Sequence, residues 1–128
     1  MGQQQLLLII LGVIIVGIAI AVGITMFSSS SIQSNKDGII NDLNNLAANA
    51  YQYRIRPTTM GGGGGSYTNY AVPQKLQTNS NGSYSTTSVA PASIGFQGKS
   101  AQNPTNIVTC TLDSTGALTS FSYQGEFQ

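Results

Sequence analysis

The chain has no histidine, no tryptophan and a single cysteine, and only five basic and four acidic side chains in 128 residues. Each shortage removes a class of chemistry. Without histidine, and with Cys110 alone, the common zinc sites, haem attachment and Ser-His or Cys-His nucleophile pairs cannot be assembled. The carboxylates are Asp37, Asp42, Asp113 and Glu126. Asp37 and Asp42 stand about 140° apart around a helix, so they share no face and make no acid–base pair, and so few acids argue against a calcium site. A formal net charge of +1 leaves no stripe of Lys and Arg for nucleic acid. Enzymatic function is not expected, and no cofactor or metal is called for.

What the chain has in abundance is a long apolar opening, MGQQQLLLIILGVIIVGIAIAVGITMF. From Leu6 to Phe27 there is no charge, no proline and no polar residue except Thr25. As a helix this run reaches roughly 33 Å, which matches a hydrocarbon core of about 30 Å. A secretory signal would show a basic start, a shorter apolar stretch and a small-residue cleavage site, and none of these is present. The helix pattern continues beyond Ser28–Ser31. Ile32, Ile39, Ile40, Leu43, Leu46, Ala47, Ala50 and Tyr51 recur at spacings of three and four, and Asn35, Asp37, Asn41, Asp42, Asn44, Asn45 and Asn49 mostly take the opposite face. Pro57 ends the helix, because its ring cannot sit inside one and the residue before it is pushed out of the helical region. The expectation is one helix of about 50 residues, apolar all round in its first half and amphipathic in its second.

The remainder, rich in Ser, Thr, Asn, Gln and Gly, reads as short strands over 66–72, 82–89, 93–97, 106–112 and 117–123. Asn81-Gly82 and Asp113-Ser114-Thr115-Gly116 supply the turn chemistry. A head of roughly 70 residues is small for independent stability, so the sheet is expected to use Ile39, Ile40, Leu43, Leu46, Ala47, Ala50 and Tyr51 of the helix as half of its core. The fold class is α+β, a long N-terminal helix packed against a small antiparallel sheet. Its parts are 1–27, an apolar helix; 28–56, its amphipathic continuation; and 57–128, the β-rich head.

The short polar start, the uninterrupted apolar segment over 1–27, the stretch IINDLNNLAANAYQY, the glycine-rich MGGGGGSYTNYAVP and the small β head together resemble the type IV pilin superfamily. That resemblance implies a structural subunit that polymerises through its apolar helix into an extracellular filament with adhesion or motility roles. A prepilin peptidase would remove a leader and Met1 would be the methylated first residue; the alternative frame starts at Gln3. The family places a glutamate four residues after the first, where it sets the axial register against a neighbouring amine. Here that slot holds Gln5, which can hydrogen-bond an ammonium but lacks the charge-assisted term. Gln3, Gln4 and Gln5 would instead make neutral amide contacts between helices.

The resemblance makes Leu6, Leu7, Leu8, Ile9, Ile10, Leu11, Val13, Ile14, Ile15, Val16, Ile18, Ile20, Val22 and Ile24 the filament-core packing surface. Gly12, Gly17 and Gly23 would permit close helix approach or local unwinding, or are simply the glycines common in membrane helices. The expected partners are many copies of the same chain, the peptidase and assembly machinery, and membrane lipid before assembly. The precursor would sit in the cytoplasmic membrane and the product on the cell surface. Two alternatives stand beside this: a pseudopilin or minor pilin of a secretion or pilus apparatus, and a single-span membrane protein displaying a β binding module.

Other motifs have plainer explanations. Gly61–Gly65 lacks the Gly-Lys-Ser/Thr of a phosphate loop and is expected to be a flexible loop at a subunit contact. Asn81-Gly82-Ser83 matches a glycosylation sequon, but a turn comes first. The six tyrosines are expected as core and interface aromatics, and Cys110 as a buried small hydrophobe.

Overall fold

A computed structural model describes residues 2–128 of the chain; the processing site assigned to Met1 lies outside the described residues. Helix α1 spans Gly2–Ile55, as the apolar run and the Pro57 stop predict. By compactness the chain forms two units, one up to Gln33 and one over Ser34–Gln128. From Gly2 to Gln33 the first is helical, and α1 passes Gly12, Gly17 and Gly23 without interruption.

In the second unit, four strands, β1 (Gly82–Val89), β2 (Ile94–Ser100), β3 (Ile107–Leu112) and β4 (Leu118–Gln124), form an open antiparallel sheet in the order β1-β2-β3-β4. The chain is therefore α+β. Side-chain alternation sets the inner face: Ile94 and Phe96 on β2, Val108, Cys110 and Leu112 on β3, and Tyr84 on β1 are all buried. On the helix, Ile39, Leu43, Leu46, Ala47 and Ala50 are buried at the predicted helical spacing, while Ile40 and Tyr51 are half-buried. The opposite face of the sheet presents Ser83, Ser85, Gln97, Lys99, Thr109 and Thr111.

Two glycines show how closely helix and sheet approach. Gly98 lies mid-strand because a Cβ there would come within 2.7 Å of Ile39 Cγ2 and 3.1 Å of the Tyr84 ring. Gly116, with φ +87°, turns the β3–β4 hairpin and faces the Tyr51 ring, 2.9 Å from where its Cβ would stand. This close approach explains why β2 continues to Ser100 rather than stopping at residue 97: Gly98 is there for clearance and does not break the strand.

The expected strand over 66–72 does not form. Asn69 adopts a left-handed φ of 70°, and Tyr67 and Tyr70, three residues apart, both turn inward, which a strand's alternation forbids. Tyr67 donates to the Asp113 carbonyl at 2.6 Å and Tyr70 to Asn49 Oδ1 at 2.7 Å, so tyrosine hydroxyls replace a strand ladder in holding this segment. A short helix, α2 (Gln74–Gln77), follows Pro73.

The five-glycine run, expected to be flexible, is a folded cap on α1. Gly63 and Gly65 donate their N–H groups to the carbonyls of Tyr53 and Arg54 at 2.7 and 2.6 Å, and Gly64 to that of Arg56 at 3.0 Å. These include carbonyls that the end of a helix leaves without intrahelical partners. Left-handed φ values at Gly61, Gly64 and Gly65 make the reversal possible, and a Cβ on Gly62 or Gly63 would strike the Arg56 or Ser66 carbonyl oxygen.

Candidate functional site

The surface that sets this chain apart is on the first unit. Sixteen large apolar side chains between Leu6 and Phe27 are exposed by 51% to 76%. They include every residue assigned above to filament-core packing, and they surround the helix on all sides. A soluble monomer rarely shows a contiguous apolar patch beyond a few hundred Å². Burying these side chains is worth about 1.5–3 kcal/mol each when complete, a gross driving force of tens of kcal/mol. This helix is long and apolar enough to cross a membrane. Gln3, Gln4 and Gln5 stand exposed at its start, and the space around Gly12, Gly17 and Gly23 is open within 4 Å.

In the second unit, the polar groups serve mainly to join its parts. One oxygen of Asp42, on α1, accepts hydrogen bonds from Asn79 Nδ2 at 2.8 Å, Asn81 Nδ2 at 2.9 Å and the Tyr84 hydroxyl at 2.5 Å. Burial resists ionisation of this carboxyl, but the three donors, Tyr84 foremost, outweigh it and hold the pKa below the ordinary 3.8. The Tyr84 phenol is pushed up, by burial first and then by its bond to Asp42, so it stays a neutral donor.

Asn35 was assigned by periodicity to the polar face, yet it is buried. Ser100 Oγ donates to its Oδ1 at 2.5 Å and its Nδ2 donates to the Asn81 carbonyl at 3.1 Å. Asn81, the sequon residue, is thus held through both its side chain and its carbonyl in the turn before β1.

The β3–β4 hairpin carries a similar device. Asp113 Oδ1 accepts from Thr115 Oγ1 at 2.6 Å, Thr115 N at 2.9 Å and Ala117 N at 3.0 Å, and these bonds, led by the Thr115 hydroxyl, lower its pKa. Phe127, absent from the expected core, is 2% exposed; Gly125, with φ +69°, turns the chain end inward, and Asn106 Oδ1 accepts from Glu126 N there. The signal for it was Gly125 two residues before an aromatic.

A shallow cleft of about 220 Å³ is lined by Asn49, Tyr53, Arg56, Tyr70, Ala71 and Pro73. Burial pushes the Tyr70 phenol up to about 12, and its proton is already given to Asn49. Arg54 Nε is buried without a hydrogen-bond partner among the described residues, and its guanidinium lies 5.5 Å from the Tyr67 ring centre. Cys110 is buried, which raises its thiol to about 11. Among the described residues no three His, Cys, Asp or Glu side chains converge as a metal site.

Both edge strands of the sheet are irregular. The β1–β2 register shifts between Thr86 and Ser88, and the β3–β4 register shifts between Thr109 and Thr111, opposite Ser120 with its left-handed φ of 56°. Such bulges blunt a sheet edge against pairing with another chain. The exposed apolar surface is therefore concentrated on the helix, while the sheet's edges discourage association. No protein-family model, no curated protein and no solved structure matches this chain.

Proposed function

We propose that the chain is a structural subunit that polymerises through residues 6–27 into an extracellular filament of the type IV pilus kind. The observation that carries this is the apolar helix surface, exposed on every side within the subunit. In a bilayer that surface is satisfied as a monomer, since lipid tails are as apolar as Leu and Ile. Outside the bilayer it must be covered, and side-by-side packing of many copies covers it. The head, folded around its own core and blunted at both sheet edges, is suited to the outside of such a polymer. The expected life cycle is a membrane-held precursor followed by assembly on the cell surface.

Electron microscopy of material sheared from producing cells, with mass spectrometry of the chain's N-terminus, tests the proposal. Thin filaments containing this chain, starting at a methylated Met1 or at Gln3, are the expected result. Recovery of the chain solely as a monomer in the membrane fraction, with no filaments, overturns it in favour of a single-span protein displaying a small β module.

A further inference from the structure

Within residues 2–32 the polar side chains fall into two bands, Gln3–Gln5 and Ser28–Ser31. Thr25, the one other polar residue there, is satisfied within its own helix, its hydroxyl donating to the Ala21 carbonyl at 2.9 Å. We propose that in the filament the Gln3–Gln5 band of each copy lies level with the Ser28–Ser31 band of a second copy, fixing those two helices at an axial displacement of about 25 residues, or roughly 38 Å. This rests on the filament proposal above and names the contact that sets its register.

The glutamines are the groups that need a partner. A serine buried in an apolar environment can close onto the carbonyl four residues back, as Thr25 does here. A glutamine in the first turn can accept from one of the free backbone N–H groups there, but its two amide donors have no such ready partner, and leaving them unpaired in an apolar environment is costly. At near-zero displacement the amides would meet the amides of the second copy, which the size of the heads excludes; displacements from about 4 to 20 residues set them beside aliphatic side chains, which offer nothing. The serine band is the first set of hydroxyls beyond them. Both bands also wrap the helix: at 100° per residue, three successive positions span about 200° and four about 300°, so meeting depends on height and hardly on azimuth.

Size points to the same displacement. The compact unit over Ser34–Gln128, the β-rich head together with its stretch of α1 and about 95 residues in all, has a radius of gyration near 12 Å and is about 30 Å across, whereas packed helices lie about 8–10 Å apart. Many copies cannot carry their heads at one level in that spacing, so axial displacement is forced. A step of roughly 38 Å clears one head diameter and at the same time aligns the two bands. In the membrane the same bands stand at the two edges of a hydrocarbon core of about 30 Å. If that were their only role, no helix pair in the filament would show this displacement.

Cryo-electron microscopy of filaments of the full chain gives the direct test. The expected result is one contacting helix pair displaced by about 36–40 Å, with Gln3–Gln5 facing Ser28–Ser31. Filaments in which no contacting pair has that displacement overturn this proposal alone; absence of filaments overturns it together with the proposed function.

A second test is energetic. Ser28→Ala, Ser29→Ala, Ser30→Ala and Ser31→Ala together favour the helix itself. They should raise the subunit released from filaments at a fixed sub-solubilising detergent concentration about tenfold or more, because the amides lose their partners. In a chain already carrying Gln3→Leu, Gln4→Leu and Gln5→Leu, the same four changes should alter release by less than about threefold. Equal effects in the two backgrounds overturn the proposal.

Discussion

Asp42 ties the helix to β1 and to the turn before it through three hydrogen bonds, and replacing it with alanine should cost the head much of its stability. The change leaves Asn79 Nδ2, Asn81 Nδ2 and the Tyr84 hydroxyl without the carboxylate they share. Hydrogen bonds to a charged group are each worth about 1.5–3 kcal/mol. Asp42 is half-exposed, so water recovers part of this for the two amides, while Tyr84 is buried and recovers less. The net loss should be about 2–4 kcal/mol. A unit of this size has about 5–14 kcal/mol in total and loses about 4–8 °C per kcal/mol, so its melting point should fall by about 10–25 °C.

The assay is near-ultraviolet circular dichroism of the full chain in detergent, which follows the tyrosines of the head and ignores the apolar helix. The pH dependence supplies a second check. Because the folded pKa of Asp42 lies below 3.8, its contribution is complete above the unfolded value and is lost as pH falls through the folded one. The gap between wild type and Asp42→Ala should therefore hold constant from about pH 5 to 7 and close in stronger acid. A loss under about 0.5 kcal/mol, or a gap that widens on acidification, would refute the argument.

Other expectations follow from the same geometry. Gly63→Ala should destabilise the head by about 2 kcal/mol or more in urea unfolding, since its Cβ would strike the Ser66 carbonyl oxygen, whereas Gly12→Ala, in open space on a helix, should cost nothing and gain up to about 1 kcal/mol of helix propensity. Leu43→Ala should cost about 2–5 kcal/mol in the same assay, being fully buried beneath the sheet. Cys110, with its thiol raised to about 11, should react with a disulfide reagent at pH 8 more than about 100-fold slower in the native chain than in urea. Ile14→Lys should abolish recovery of sheared filaments, a charge at mid-helix costing about 2.5–3.5 kcal/mol even for membrane insertion.

Most of the helix was legible because it rests on long-range regularity: an unbroken apolar run, then a repeat of three and four, then Pro57. The four strands that form were each legible within three residues at either end, since β-branched alternation and Asn, Asp and Gly turns mark them locally. What escaped depends on tertiary partners. Asn35 looks polar until Ser100 and the Asn81 carbonyl are brought to it, and Gly98 looks like a strand end until Ile39 occupies the place of its Cβ. The 66–72 segment has strand composition, yet hydroxyl bonds from Tyr67 and Tyr70 to groups 46 and 21 residues away decide its course. The glycine run looks like slack until its amides are seen to close the end of α1. For Asn35, Gly98 and the 66–72 segment the deciding partner is remote in sequence, so no local window contains the signal. For the glycine run the partners are the nearby carbonyls of Tyr53, Arg54 and Arg56, and what composition does not reveal is the left-handed backbone that turns the amides back onto them.

In the proposed polymer, the chemistry of α1 also constrains how copies of the chain would attract one another. Among residues 2–35 there is no ionisable side chain; the first is Lys36, whose ammonium lies 4.1 Å from the Tyr123 ring centre in the head. Association through the apolar segment can therefore draw on burial, close packing and neutral hydrogen bonds, but not on ion pairs between these side chains. Burial supplies strength without direction, because it is proportional to area and indifferent to register. Register must come from groups that are costly when misplaced, and the amides and hydroxyls at the two ends of the run are the polar groups positioned to supply it. A polymer built this way owes its cohesion to roughly twenty apolar residues and its axial repeat to seven polar ones. Salt, which screens charges and leaves neutral contacts intact, should then leave its repeat unchanged.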